Sequence, residues 1–516
     1  MPVTTSYPGI YIEEVLSTSH SITPAPTSIT AFIGYSHPYK TRTFGQAAQL
    51  FSFADYERYF GGFFKNAWLT DHLGQAVSQF FLNGGSNAWV VGLQASYRDT
   101  SVTPAVGHGV LTPATVNIGG LVFTAREPTD DTLPMTITIN NLQKTVVDND
   151  TADIIVVYGT QVDTMRRVLI TDIEAKVGNV AQPRSPLVTV AQGATVTYTA
   201  ADQTPLAYAT APNANWQTFN PADFGPVFAA DESLDKVPIF NLMVLAGITD
   251  NTVLSEALAY CERKHAFVIM DPPRDAAADD RTPGLSAMGA IWDSGVIPTS
   301  TNGAIYFPYL RSTDPIDGSL SESPPSGFVA GVIAREDTNR GVWKAPAGLE
   351  ALIRGTPGVV ERGRMTDMRH GTLNERGVNC IRQFAGVGSV VFGARTLVSE
   401  NPAFEQFRYA NVRRMALFLE QSLLNSLGWV VFESNDFPLW TSIRTTIDAF
   451  MLGLFHQGAF QGETPSQAFK VLCDHTTTTQ DDVNQGRVNI VVGFAPLKPA
   501  EFVIIKIAQL AGQPEG

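Results

Sequence analysis

The run Glu501-Phe502-Val503-Ile504-Ile505-Lys506-Ile507-Ala508 is apolar on both faces of an extended chain, and it comes last in the sequence. Such a strand needs cover on every side, because an unpaired apolar edge is an aggregation hazard. It can be a central strand of its own domain. It can also be exchanged with a neighbouring chain, where main-chain hydrogen bonds supply the affinity. The other end of the chain poses the same choice. After Pro8-Gly9, the residues Ile10-Tyr11-Ile12-Glu13-Glu14-Val15 alternate as a short strand, and a polar stretch with Pro24 and Pro26 follows. Only 16% of the residues are charged, against about 25% in an average soluble protein, so much surface hidden by partner subunits is expected.

Between these ends the pattern is that of a folded, multidomain chain. At 516 residues it exceeds one hydrophobic core, and two to four domains are expected. Ile29–Gly34 reads as a buried strand, Ser52–Phe60 as a short helix stopped by Gly61-Gly62, Leu69–Leu82 as a second helix, and Ala88–Val91 as a strand. Strand, helix, strand is the pattern of a packed α/β sheet. From Asp99 to Lys236 the chain turns rich in Thr, Val, Asp and Pro, with 15 acidic and 7 basic residues, a net of −8. Short alternating runs such as Met135–Ile139 mark it as a β-rich, solvent-facing insertion. The α/β pattern resumes at Ile239–Leu245, with a helix over 252–264 and a strand over 266–270. Residues 312–327 read as a loop and 338–348 as turns. Toward the C-terminus a long helix is expected over 402–427, then a strand at Trp429–Phe432, then a helix capped by Asn435 or Asp436. Three strands are expected at 469–474, 487–494 and 501–508. The expected fold is α/β (α+β) and multidomain, with a mixed-sheet core and flanking helices. Its parts are an N-terminal arm (1–22), an α/β domain in two pieces (23–98 and 237–354), the insertion (99–236), a C-terminal domain (355–498) and a C-terminal arm (499–516).

Reactive chemistry is sparse. The net charge of −14 argues against a general nucleic-acid binder. Cys261, Cys380 and Cys473 form no CxxC pair, and the eight histidines are scattered, so no metal site and no disulfide framework is expected. No GxxxxGK[ST], GxGxxG or HExxH occurs, so no cofactor is expected. Asp271-Pro272-Pro273-Arg274 follows a buried strand where α/β enzymes place ligand groups, but a Pro-stiffened loop is the plainer reading. His475 adjoins Asp474 and lies near Cys473, yet neighbours in a strand point to opposite faces and build no dyad. Thr476–Thr479 with Asp481-Asp482 is most simply a polar loop. Arg408, Arg413 and Arg414 are placed on or near one helix face, either solvated or facing an acidic partner. The N-terminus lacks a basic and apolar leader, and no apolar run reaches the ~20 residues that span a bilayer. Assembly in the cytoplasm, without a signal peptide or membrane insertion, is expected.

Ten segments in one order carry a resemblance. They are Pro8–Glu14, Thr27–Gly34, Phe80–Gly85, Pro324–Gly331, Arg340–Ala347, Val390–Leu397, Asn411–Arg414, Phe432–Asp436, Cys473–Thr479 and Pro499–Val503. In these the chain resembles the tail sheath proteins of contractile-tailed phages, R-type tailocins and extracellular contractile injection systems. The resemblance spans most of the chain outside 99–236. It implies a structural subunit, not an enzyme: a homo-oligomer of stacked hexameric rings around an inner tube protein, bounded by baseplate and terminal cap proteins. The sheath would contract from a metastable extended state. The arms, with Ile10, Tyr11, Ile12 and Glu13 at one end and Phe502, Val503, Ile504, Ile505 and Ile507 at the other, would add strands to a neighbour's sheet. The C-terminal domain would face the tube, with Arg408, Arg413 and Arg414 as candidate contacts, and the insertion would lie outside. A static shell or surface array is the alternative, sharing strand exchange but having one lattice state. A hydrolase using Asp271 or His475 is a third reading.

Overall fold

The computed structural model describes residues 20–38, 40–64, 69–99, 106–109, 113–126, 134–144, 150–207, 216–273, 298–360, 365–502 and 504. Two compact units emerge. The larger comprises Thr27–Arg340 and Ala345–Arg413; the smaller comprises Met1–Pro26, Gly341–Lys344 and Arg414–Gly516.

The larger unit is built on a sheet that has eight strands among the described residues. They are β1 (Thr30–Tyr35), β2 (Ala47–Leu50), β3 (Ala88–Leu93), β4 (Leu242–Leu245), β5 (Phe267–Met270), β6 (Gly303–Phe307), β7 (Val378–Phe384) and β8 (Gly388–Val391). Their order is β2-β3-β1-β4-β5-β6-β7-β8. The strands from β3 to β7 in that order run parallel, and β2 and β8 are antiparallel edges. Every residue of β1, β4, β5 and β6 is buried. Parallel strands are covered on both faces, which is why these segments read as unbroken apolar runs.

The helices begin and end on side chains legible in the sequence. Helix α1 (Phe53–Phe60) starts at Ser52, whose side chain accepts the Asp55 N–H, and stops at Gly61, with φ of 86°. Helix α2 (His72–Asn83) is capped by Asp71 and ends at Gly84, with φ of 118°. Helix α3 (Asn251–Arg263) is capped by Asp250. Helix α4 (Ser326–Arg340) packs closely on α2. A Cβ on Gly327 would fall 2.5 Å from the Ala76 backbone, and one on Gly331 would fall 2.6 Å from the Phe80 carbonyl oxygen. The glycines of Pro324–Gly331 thus allow two helix backbones to touch.

Asp271 closes this layer. It lies just past β5, 2% exposed, and accepts three hydrogen bonds. The Ser326 backbone N–H donates at 2.8 Å, the Ser326 hydroxyl at 2.7 Å and the Gly247 N–H at 2.9 Å. One carboxylate therefore ties the ends of β4 and β5 to the first turn of α4. Asp71 does similar work for α2, accepting from Gly74 at 2.8 Å and Phe64 at 3.3 Å.

Burial outweighs these donors and raises both carboxyls from the ordinary 3.8, Asp71 to about 7 and Asp271 to about 6. A carboxyl raised in the folded state binds its proton there before the unfolded chain does. Its contribution to stability is complete below pH 3.8 and is lost as pH rises through 6 and 7. The expected outcome is that the full chain gains stability relative to an Asp71→Asn/Asp271→Asn variant as pH falls from about 8 to 5. Urea unfolding of both proteins across that range checks it, and a pH-independent difference would contradict it.

The β-rich insertion has its own core. Strands Thr136–Gln143, Thr151–Tyr158, Gln161–Leu169 and Ala201–Pro205 form one sheet, and Thr115–Ile118, Leu121–Ala125 and Val188–Gln192 another. Alternate residues such as Ile137, Ile139, Ile154 and Val156 are buried with Phe123 and Val190, giving the period of two. That core ends at Leu206, whereas Phe224, Val227, Phe228 and Leu234 pack into the core of the large sheet.

Three expectations are corrected. The stretch 312–327 is not one loop: Leu310–Thr313 and Leu320–Ser323 form a hairpin whose tip holds Asp314-Pro315 and Asp317-Gly318, and α4 starts at Ser326. The helix expected over 402–427 is a 3-10 segment, Pro402–Phe407, then helix α5 (Ala410–Ser426). Trp429–Phe432 is not a strand. Gly428–Val430 is a 3-10 turn, and Phe432 has φ of 72°, outside the extended region of a regular strand.

Candidate assembly interface

The smaller unit contains the second part of α5, helix α6 (Phe437–His456) and a hairpin sheet. Asp436 caps α6 by accepting the Leu439 N–H, and Leu439, Ile443, Ile447, Met451 and Leu454 are its buried face. Strand Phe469–Leu472 packs on this helix and pairs antiparallel with Val491–Phe494, in the register Phe469↔Phe494 and Leu472↔Val491. Phe460 sits 6.1 Å from both Phe469 and Phe494, so one end of the hairpin is an aromatic cluster.

Among the described residues no third strand joins this pair. Among the described residues each strand therefore has one edge without a strand partner; in the first strand Val471 is buried and Lys470 exposed, and in the second Val491 and Gly493 are exposed and Val492 and Phe494 half-buried. A two-stranded sheet is marginal in water, and three or more strands give independent stability. A hairpin that no third described strand joins, resting on a well-packed helix, has the form of a template for strand addition.

Ile10, Tyr11, Ile12 and Glu13, with Val503, Ile505 and Ile507, lie outside the described residues. Phe502 is 75% exposed and Ile504 82% exposed, and neither is in a strand of this chain. The strand expected at 501–508 is not formed at the described positions.

The three arginines do not share a face. Arg408 precedes α5 and lies 3.9 Å from Glu405. The Arg413 Nε–H donates to Asn302 Oδ1 at 3.0 Å, with its guanidinium 5.0 Å above the Phe407 ring. Arg414 is buried, 4% exposed. Charge reversal at Arg414 is a test of the fold: Arg414→Glu is expected to lower stability by about 3 kcal/mol, because it buries a charge of the wrong sign. An unchanged urea midpoint would contradict this.

The reactive candidates are engaged locally. Asp474 accepts from the Thr476 N–H and hydroxyl, which lower its carboxyl below the usual range, and His475 is exposed. Burial raises the Cys473 thiol, the reverse of an activated nucleophile. Thr479 and Asp482 form a capping box on the short helix Gln480–Asn484. No group of three His, Cys, Asp or Glu residues suited to a metal exists among the described residues, and no described helix is long and apolar enough to cross a membrane.

Two family models match this chain: the phage tail sheath protein central domain over residues 231–397 and the phage tail sheath C-terminal domain over 403–509. The tail sheath protein of Vibrio phage KVP40 is 24% identical over 303 residues, covering 54% of this chain and 43% of its own length. The chain spans about half the length of the curated relatives it matches. Among solved structures, the anti-feeding prophage helical sheath in its contracted state aligns with a TM-score of 0.58 and 22% identity, covering 98% of this chain and 100% of that one. The sheath complex of the extracellular contractile injection system PVC, also contracted, aligns with a TM-score of 0.58 and 21% identity, covering 98% and 99%. At these identities the likeness is one of fold.

Proposed function

The chain belongs to the phage tail sheath family, and on that premise we propose that it is the structural subunit of a contractile sheath. In this reading copies stack as hexameric rings around an inner tube, between a baseplate and a terminal cap. The sheath assembles extended and metastable, then shortens to drive the tube through a target envelope. The observation that supports the reading is the hairpin sheet of Phe469–Leu472 and Val491–Phe494, which no third described strand joins; residues 7–16 and 500–510 of neighbouring copies would add to its edges. Residues 355–498 would form the inner layer and 99–236 the outer decoration.

The work comes from docking, with no covalent chemistry needed. Subunits move largely as rigid bodies and exchange one set of interfaces for a more favourable one. A head-to-tail contact that does not close generates an open helix, and a few kcal/mol per subunit, on the order of ordinary interface energies, accumulates along it. Arms threaded into a neighbour's sheet keep copies joined while their bodies rotate. Negative-stain microscopy of the purified full chain tests this. Tubes or helical polymers are expected; a strictly monomeric protein at high concentration would contradict it.

A further inference from the structure

Residues 20–26 run along the C-terminal turns of α5, within the smaller unit, and are held there at three points. The His20 ring stacks on Trp429 with centroids 3.9 Å apart and planes 5° from parallel. The Thr23 N–H donates to Ser426 Oγ at 3.1 Å, and the Ala25 N–H donates to Ser422 Oγ at 3.0 Å. Ile22 and Ala25 are buried, while Ser21, Thr23 and Pro24 are exposed. The spacing is matched. Residues 422 and 426 are about 6 Å apart on adjacent helical turns, and alternate residues of an extended chain are about 6.6 Å apart. The Ser422 hydroxyl donates to the Phe418 carbonyl at 2.7 Å, which leaves its lone pairs for Ala25. Ser422, inside α5, and Ser426, its last residue, lie one turn apart and serve a single crossing segment.

We propose that residues 20–26 form a clamp that fixes the point from which the N-terminal arm departs, with Ser422, Ser426 and Trp429 as its positioning residues. The inference rests on the strand-exchange reading above. With the clamp closed, only residues 17–19 separate the arm strand at 7–16 from the anchored chain, a span of at most ~10 Å at about 3.3 Å per residue. With it open, residues 17–26 separate them, and the span rises to ~33 Å. A short tether concentrates the arm at one neighbouring edge and denies it more distant ones. The clamp thereby selects which copy receives the strand.

The test compares full-length chains. In a Ser422→Ala/Ser426→Ala/Trp429→Ala variant, amide hydrogen exchange at Thr23 and Ala25 is expected to accelerate roughly tenfold or more, and polymers are expected to lose helical order in negative stain. A second variant leaves the clamp intact and inserts seven Gly/Ser residues between Ser19 and His20. It is expected to show the same loss of order with exchange at Thr23 and Ala25 unchanged. Asn425→Ala, on an exposed part of α5, is expected to change neither. Ordered polymers from either of the first two variants, or unchanged exchange in the triple variant, would overturn the proposal. No polymer from the unaltered chain would overturn the sheath reading and the clamp's choice of neighbour with it; exchange at Thr23 and Ala25 separately decides whether the clamp exists.

Discussion

A chain lacking residues 1–16 is expected to remain monomeric under conditions in which the full chain polymerises, with its fold intact. The hairpin of Phe469–Leu472 and Val491–Phe494 has no third strand among the described residues, and in the proposed reading a neighbour's arm supplies it. Ile10, Tyr11 and Ile12 carry the alternation that suits an added strand. Each strand of this length adds several main-chain hydrogen bonds, at about 1 kcal/mol net apiece, together with apolar side chains on the covered face. Removing it from every junction of a helical polymer takes the same contribution from every subunit. Monomer stability is expected to change little, because the clamp at residues 20–26 and the packed face of α6 remain. Sedimentation velocity measures the loss of polymer, and circular dichroism with urea unfolding measures the retained fold. Normal polymers from the truncated chain would remove the arm from the account.

Asp271→Ala is expected to lower the stability of the larger unit by about 3 kcal/mol, from buried donors left without an acceptor. The Ser326 N–H, the Ser326 hydroxyl and the Gly247 N–H all lose their partner at once. The first turn of α4 then starts uncapped against α2, where Gly327 and Gly331 leave no slack. Asp271→Asn keeps one acceptor oxygen and sheds the cost of a buried charge, so its loss is expected to be nearer 1 kcal/mol. The urea midpoints of the three proteins should fall in the order unaltered, Asn, Ala. An Ala variant as stable as the unaltered chain would show that the ends of β4 and β5 are held by something else.

The sequence makes the sheet legible for a physical reason. Strands such as Thr30–Tyr35 and Leu242–Leu245 are covered on both faces, so their apolar runs are unbroken, and helix ends at Ser52, Gly61, Gly84 and Asp436 carry their own caps. Short apolar runs are ambiguous. Trp429–Phe432 has strand composition, yet follows Gly428 into a 3-10 turn and places Phe432 at positive φ. The polar strands Leu310–Thr313 and Leu320–Ser323 were hidden by the turn residues between them, which mark the hairpin tip only. At the interface, alternation picks out candidate arms, but the receiving edge is defined by a missing neighbour, which one chain cannot display. Ser422 and Ser426 give no signal at all, because a helical serine looks the same whether it faces water or a crossing backbone.

The most direct measurement is the helical lattice of the assembled particle before and after it is triggered, read from electron micrographs. The account predicts one subunit fold in two lattices, the second shorter and wider than the first, with each arm still seated on the same neighbour. A single lattice of constant length under every condition would contradict it.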